Sequence, residues 1–306
     1  MSLRITVLGR GAWGGTLLHL WEREGHRLSS WSRRDGGDPA RLLPDCDLVV
    51  AAVSMAGVGA LAARLQASWP EGLPLLSCSK GIDQQALCTA SELWRQHLAR
   101  APLAVLSGPN LAEELARGLP AASVVSSVDT ALARHLQEQL RTPNLRLYTN
   151  NDPIGTEAAG GLKNVMALAA GISDGLGLGA NAKASLLCRG LAEIAVVLQA
   201  LGGQSATLYG LAGLGDLLAT ANSPLSRNYR FGILLAEGCD EAVALERIAA
   251  TVEGPRTARA ALALASREGW QLPICRQVVR LLEGQVEARQ AVQELMQRDL
   301  KAEAAL

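Results

Sequence analysis

The hexapeptide Gly9-Arg10-Gly11-Ala12-Trp13-Gly14 constrains this chain more than any other segment. It follows an apolar strand-like run, Arg4–Leu8, and opens a helical pattern, Thr16–Arg23. In a βα unit, glycines at G-x-G-x-x-G have separate tasks. The first makes the tight turn, the second lets a pyrophosphate approach the backbone, and the third lets helix and strand pack closely. The helix N-terminus then offers unpaired N–H groups to an anion. An ordinary glycine turn has the same local look, so the surrounding pattern has to decide.

That pattern is alternating. Strand-like runs are expected at Arg4–Leu8, Arg27–Trp31, Leu48–Val53, Pro74–Cys78, Leu103–Leu106, Ala122–Ser126 and Leu145–Tyr148, separated by helical stretches. Such alternation builds βαβ units and a parallel sheet. The run Leu48-Val49-Val50-Ala51-Ala52-Val53 suits a strand covered on both faces. After Tyr148 the turn-rich Thr149-Asn150-Asn151-Asp152-Pro153 marks a boundary, and no strand pattern follows. Leu187, Leu191, Ile194 and Leu198 repeat at helical spacing until Gly202-Gly203, and Thr257–Glu268, Cys275–Leu282 and Ala288–Gln297 also read as helices. The expected fold is an α/β Rossmann-type N-terminal domain, residues 1–150, followed by an all-α C-terminal domain, residues 151–306.

Composition narrows the function classes. Lys+Arg and Asp+Glu balance at 29 each, which argues against a nucleic-acid partner. No apolar run approaches the ~20 residues a membrane helix needs, so no membrane insertion is expected. The start Met1-Ser2-Leu3-Arg4 lacks a signal-peptide layout, and the six cysteines show no C-x-x-C spacing. A reducing cytoplasm and no metal site are the expectations. All four histidines, His19, His26, His97 and His135, precede residue 136, so a catalytic group in the second half is not an imidazole.

The second strand ends in Trp31-Ser32-Arg33-Arg34, where an NAD site usually carries an acid for the ribose diol. Two arginines there can meet a 2′-phosphate or stack on adenine. NADPH is therefore expected ahead of NADH, with dual use open.

In the second half, Glu157–Val165 opens a helix in apolar surroundings, with Leu162, Val165, Met166 and Ala169 on a core-directed face and Lys163 beside it. A part-buried lysine with little charge nearby has a lowered pKa and can exchange a proton near neutral pH. The same pattern also fits an exposed lysine on an Ala/Gly-rich helix. Asp216, in Gly213-Leu214-Gly215-Asp216, can pair with Lys163, bind a substrate hydroxyl or cap a helix. Ser226 reads as the N-cap of a helix Arg227–Glu237 whose first turn carries Arg227 and Arg230. Cations at the positive end of a helix dipole are unfavourable unless an anion joins them, which suggests a phosphate site. Lys80, in Ser79-Lys80-Gly81, and Ser107-Gly108-Pro109-Asn110 both follow strands, where open parallel sheets bind ligands.

Taken together, S-K-G-I (79–82), G-P-N-L-A-E-E-L-A-R-G (108–118), G-G-L-K-N-V (160–165), G-L-A-G-L-G-D (210–216), S-P-L-S-R-N (223–228) and V-E-G-P-R-T-A (252–258) resemble the bacterial NAD(P)-dependent sn-glycerol-3-phosphate dehydrogenase family. The resemblance spans nearly the whole chain. It implies reversible NAD(P)H-dependent reduction of dihydroxyacetone phosphate to sn-glycerol 3-phosphate, feeding glycerophospholipid synthesis. It implies Lys163 as general acid/base, and Lys80, Gly108, Asn110, Asn164, Asp216, Ser226, Arg227 and Asn228 on the substrate side. It places Ala12, Trp13, Arg33, Arg34, Lys80, Ala112, Arg227, Val252 and Glu253 on the cofactor side, with Gly9, Gly11 and Gly14 in the loop. Arg10, Asn110 and the short segment Asp35–Asp47 depart from the usual pattern. Rival readings are a 3-hydroxy-acid or ketopantoate reductase of the same plan, and a non-catalytic NADPH sensor. Oligomeric state is open, a homodimer included.

Overall fold

A computed structural model describes residues 2–299. Its seven strands are β1 (Arg4–Leu8), β2 (Arg27–Trp31), β3 (Leu48–Ala51), β4 (Leu75–Ser77), β5 (Leu103–Ser107), β6 (Ala121–Ser126) and β7 (Leu145–Asn150). In the first half they alternate with α1 (Ala12–Arg23), α2 (Met55–Leu65), α3 (Ala90–His97), α4 (Ala112–Ala116) and α5 (Thr130–Leu140). The helices that follow are α6 (Pro153–Gly175), α7 (Gly179–Ala200), α8 (Ser205–Leu208), α9 (Asp216–Ala221), α10 (Arg227–Ala236), α11 (Glu241–Ile248), α12 (Gly254–Glu268), α13 (Pro273–Leu282) and α14 (Ala288–Met296). No helix among the described residues is long and apolar enough to cross a membrane.

The sheet runs β2-β1-β3-β4-β5-β6-β7. From β2 to β5 neighbours are parallel, in registers such as Leu8↔Trp31 and Leu8↔Ala51. The parallel sheet expected from the alternation has one antiparallel pairing in it. β6 pairs antiparallel with β5, and β7 then pairs parallel with β6. The connection between β5 and β6 carries only the five-residue α4.

Alternation along the strands feeds two cores. Val7, Leu48 and Val50 pack with Leu17 and Trp21 on one face of the sheet. Leu8, Val49 and Ala51 pack with Val58, Leu61 and Trp94 on the other. The chain leaves β1 for β2 and then returns across to β3, so β1 is the switch point, where the carboxyl ends of neighbouring strands open a crevice.

A third core surrounds α6. Asp152 caps this helix by accepting the Gly155 N–H at 2.9 Å, and Pro153 occupies its first turn, where a missing N–H costs nothing. The helix is buried on every side rather than along one stripe, from Pro153 to Ser173 with Ile154 the exception, and emerges only at Asp174 and Gly175. The sequence shows why: Ala and Gly alternate with larger side chains and let α7, α9, α10, α12 and α13 close in together. A Cβ on Gly171 would lie 2.0 Å from the Tyr229 carbonyl oxygen, and one on Gly232 would lie 2.0 Å from that of Leu168. α6 and α10 thus meet backbone to backbone.

Candidate active site

The glycine loop is shaped as its spacing predicts. Gly9 has φ +105°, and a Cβ there would sit 2.5 Å from the Ala52 carbonyl oxygen, so β1 and β3 exit side by side. A Cβ on Gly14 would lie 1.9 Å from the Gly9 oxygen, whereas a Cβ on Gly11 would meet nothing within 4 Å. Gly11 therefore faces open space at the tip of the loop. It is also the N-cap of α1, so no side chain caps that helix. A loop that is tight behind, open in front and uncapped fits a dinucleotide pyrophosphate. The helix starts four residues earlier than expected because the cap is the second glycine, which puts Ala12 and Trp13 in its first turn. Thr16 Oγ1 reaches the Ala112 carbonyl at 3.2 Å, tying α1 to the start of α4.

Lys80 and Lys163 come from opposite sides of a seam. Lys80 stands in the loop after β4, and Lys163 lies on α6. A Cβ on Gly161 would be 2.6 Å from Gly81 Cα, so α6 rests directly on the Lys80 loop. One carboxylate joins the two amines: Asp216 Oδ1 accepts from Lys163 Nζ at 2.9 Å, and Asp216 Oδ2 from Lys80 Nζ at 2.7 Å. Lys80 also donates to the Gly108 carbonyl at 3.1 Å, and Lys163 donates to Thr220 Oγ1 at 2.6 Å. The Lys163 side chain is 9% exposed and that of Asp216 2%.

The lysine is not in the sparsely charged setting the sequence suggested. Burial pulls its pKa down to about 8, Lys80 and Arg227 push the same way, and Asp216 opposes them. Burial alone would raise Asp216, but the two ammonium groups hold it below the usual carboxylate range. Asp216 does not cap a helix. A π-helical turn, Leu211–Gly215, precedes it and delivers it as the first residue of α9, with its side chain turned to the amines. Such turns recur at functional sites. Thr220 was not anticipated. It lies four residues after Asp216, hence on the same helical face, and that spacing was the available signal.

On the third side stands α10. Ser226 caps it by accepting the Tyr229 N–H at 3.2 Å, and Arg227 is exposed in the first turn. Asn228 is buried, and its amide is engaged twice: Nδ2 donates to Asn164 Oδ1 at 2.9 Å, and Oδ1 accepts the Gly254 N–H at 2.8 Å. This chain of amides links the residue after Lys163, the residue after Arg227 and the residue after Glu253. Burial pushes the Glu253 carboxyl pKa up, against a smaller opposing pull from the Met55 backbone at the start of α2. Its Oε2 and Asn110 Nδ2 are buried without a hydrogen-bond partner among the described residues. Asn110 Oδ1 accepts from Ser123 Oγ at 2.5 Å, and Val252 is buried beside Glu253. Gly108 has φ +144° and abuts Ser123 Cα. Arg33 and Arg34 are exposed just after β2.

A glycine loop at a sheet switch point, together with a helical region that presents a buried lysine against the neighbouring strand-end loop, defines a nicotinamide-dinucleotide-linked oxidoreductase. Residues 36–133 match the N-terminal part, and residues 152–293 the C-terminal part, of NAD-dependent glycerol-3-phosphate dehydrogenase. The chain belongs to that family. It is 54% identical over 303 residues to a glycerol-3-phosphate dehydrogenase, NAD(P)+, of Synechococcus sp. (strain RCC307), covering 99% of this chain and 100% of the relative. A relative of the same name from Synechocystis sp. is 46% identical, with 98% and 95% covered. The crystal structure of glycerol-3-phosphate dehydrogenase from Coxiella burnetii superposes with a TM-score of 0.90 at 33% identity, covering 97% of this chain and 99% of that one.

Proposed function

We propose that this chain interconverts dihydroxyacetone phosphate and sn-glycerol 3-phosphate with NAD(P)H, and that residues 1–150 and 151–306 divide the work as dinucleotide and substrate domains. The observation that carries the reading is the buried Lys163 amine, 2.9 Å from Asp216, within electrostatic reach of Arg227 and across a glycine seam from Lys80. Gly9, Gly11, Ala12, Trp13 and Gly14 would hold the dinucleotide's pyrophosphate, and Ala112, Val252 and Glu253 would contact the rest of it. When bound, the nicotinamide supplies or accepts the hydride at the carbonyl carbon.

The protein's own groups do the rest. Arg227 at the tip of α10 binds the substrate phosphate, with Ser226, Asn228 and Asn164 shaping the pocket; this restrains the three-carbon chain and raises its effective concentration. Lys163 donates its proton to the carbonyl oxygen as charge develops, and accepts the hydroxyl proton in reverse. A pKa of about 8 leaves both forms accessible near neutrality. Asp216 and Thr220 hold the amine in place. Lys80, Gly108 and the free amide of Asn110 line the oxygen side. The cytoplasm, where both the dinucleotide and the triose phosphate occur, suits this function. The product supplies glycerophospholipid synthesis, and NADPH preference is a further part of the proposal that kinetics with both dinucleotides resolve.

The test follows reduced-nicotinamide absorbance with dihydroxyacetone phosphate, for wild type and Lys163→Met. Wild type turns over, and Lys163→Met binds NADPH normally but loses most turnover. Unimpaired turnover in Lys163→Met removes the lysine from the mechanism, and no turnover by wild type with either dinucleotide refutes the function.

A further inference from the structure

The adenosine end of the crevice contains an ion pair that the reaction itself does not need. Gly9 N–H donates to the Trp31 carbonyl at 2.8 Å, which sets residue 10 beside the end of β2. From there Arg10 Nη2 lies 2.8 Å from both carboxylate oxygens of Asp35. Ser32 Oγ donates to Asp35 Oδ2 at 2.7 Å. The Ser32 hydroxyl and Arg10 hold the Asp35 carboxyl below its ordinary pKa. Asp35 is the first acid after β2, the region from which an NAD site reaches the ribose diol. Here its oxygens are already taken.

The other charges at this rim follow the same pattern. Arg64 Nη2 bonds the Gly37 carbonyl at 2.7 Å and lies 3.5 Å from Asp38, with its guanidinium 5.6 Å from the Trp31 ring. Each acid is thus matched to an arginine. Arg33 and Arg34 remain exposed, with no ion-pair partner among the described residues. A rim whose acids are neutralised and whose surplus charge is two guanidinium groups suits a 2′-phosphate, and offers a 2′,3′-diol no free acceptor.

We infer that the Arg10–Asp35 pair is the selector of NADPH over NADH: Arg10 keeps Asp35 from the ribose diol, and its removal releases that carboxylate to serve NADH. The inference rests on the dinucleotide function proposed above and concerns only which dinucleotide is held.

The experiment measures dissociation constants for NADPH and NADH by fluorescence titration, alongside kcat/KM with dihydroxyacetone phosphate, for wild type, Arg10→Ala, Asp35→Asn and the double variant. Both residues are surface-exposed and outside the catalytic cluster, so the fold is retained. In Arg10→Ala the preference for NADPH falls about five- to tenfold, as expected for losing one charge and freeing another at the surface. Part of that fall is tighter NADH binding, and this part disappears in the double variant because it needs the Asp35 carboxylate. Asp35→Asn alone keeps or strengthens the NADPH preference. If Arg10→Ala weakens both dinucleotides equally, or if NADH still gains in the double variant, the selector is refuted. Wild type that binds dinucleotide but does not turn over refutes the catalytic function instead, and the binding constants still decide the selector.

Discussion

Replacing Asp216 with asparagine removes the one acid, among the described residues, that is bonded to the Lys163 amine, without changing the shape of the side chain. Lys163 sits at about 8 as a compromise: burial, Lys80 and Arg227 disfavour its ammonium form, and Asp216 favours it. An opposite charge at this range is worth about 1–3 pKa units, so Asp216→Asn drops the lysine to roughly 5–7. At pH 7 a group with a pKa near 8 is about nine-tenths protonated, and one near 6 about one-tenth, so protonation alone costs roughly tenfold in the direction that needs the acid form. The assay is kcat for dihydroxyacetone phosphate reduction from pH 5 to pH 9.5 at saturating dinucleotide and substrate. In wild type the rate falls as pH rises through about 8, where the acid is lost. In Asp216→Asn the same alkaline limb moves acidward by about 1–3 units. A slow variant whose limb stays near 8, or moves up, refutes the claim that Asp216 sets the proton affinity of this lysine.

Gly161→Ala places a methyl group 2.6 Å from Gly81 Cα, and backbone cannot yield as a side chain would. Overpacking of about 1–3 kcal/mol outweighs the smaller helix-propensity gain, and urea denaturation shows a destabilised protein; a stabilised variant shows that the seam is not tight. Glu157, wholly buried on α6, accepts the Ser91 N–H and the Ser91 hydroxyl, and burial lifts its carboxyl to about 7 from an ordinary 4.5. A raised acid binds more protons folded than unfolded, so its contribution is full below about 4.5 and is lost as pH rises through 7. Glu157→Gln flattens that slope in thermal melts between pH 4.5 and 7.5, and an unchanged slope places the titration elsewhere.

Much of this architecture was legible in the sequence. All seven strands lie close to where the alternation predicted them: β3, β4 and β5 are short runs covered on both faces, and the half-exposed edge strands β2 and β7 were marked by their place between helical stretches. The direction of β6 was not legible, since alternation along a strand is the same whichever way it runs. Around Lys163 the limit was periodicity. Leu162, Val165, Met166 and Ala169 mark one face, but the Ala and Gly residues between them are silent about burial, and neighbours close over those as well. The lysine was therefore identifiable while its crowding was not. Asp216 was visible as an acid near a helix start, but only a π turn decides that it points at two amines, and no residue spacing encodes that turn directly. The double commitment of the Asn228 amide was likewise invisible, because Asn164 and Gly254 are its neighbours only in the folded chain.

The contact between α6 and α10 carries a consequence for substrate choice. Where Gly171 meets Tyr229 and Gly232 meets Leu168, no side chain stands between the helices to be compressed or rotated away. The pair forms one stiff beam, with Lys163 on one member and Arg227 on the other. Under the proposed roles that beam works as a ruler: a sugar phosphate one carbon longer, anchored at the same tip, carries its carbonyl past the amine. Discrimination by length is then a property of bare backbone and needs no side chain built to reject the larger molecule.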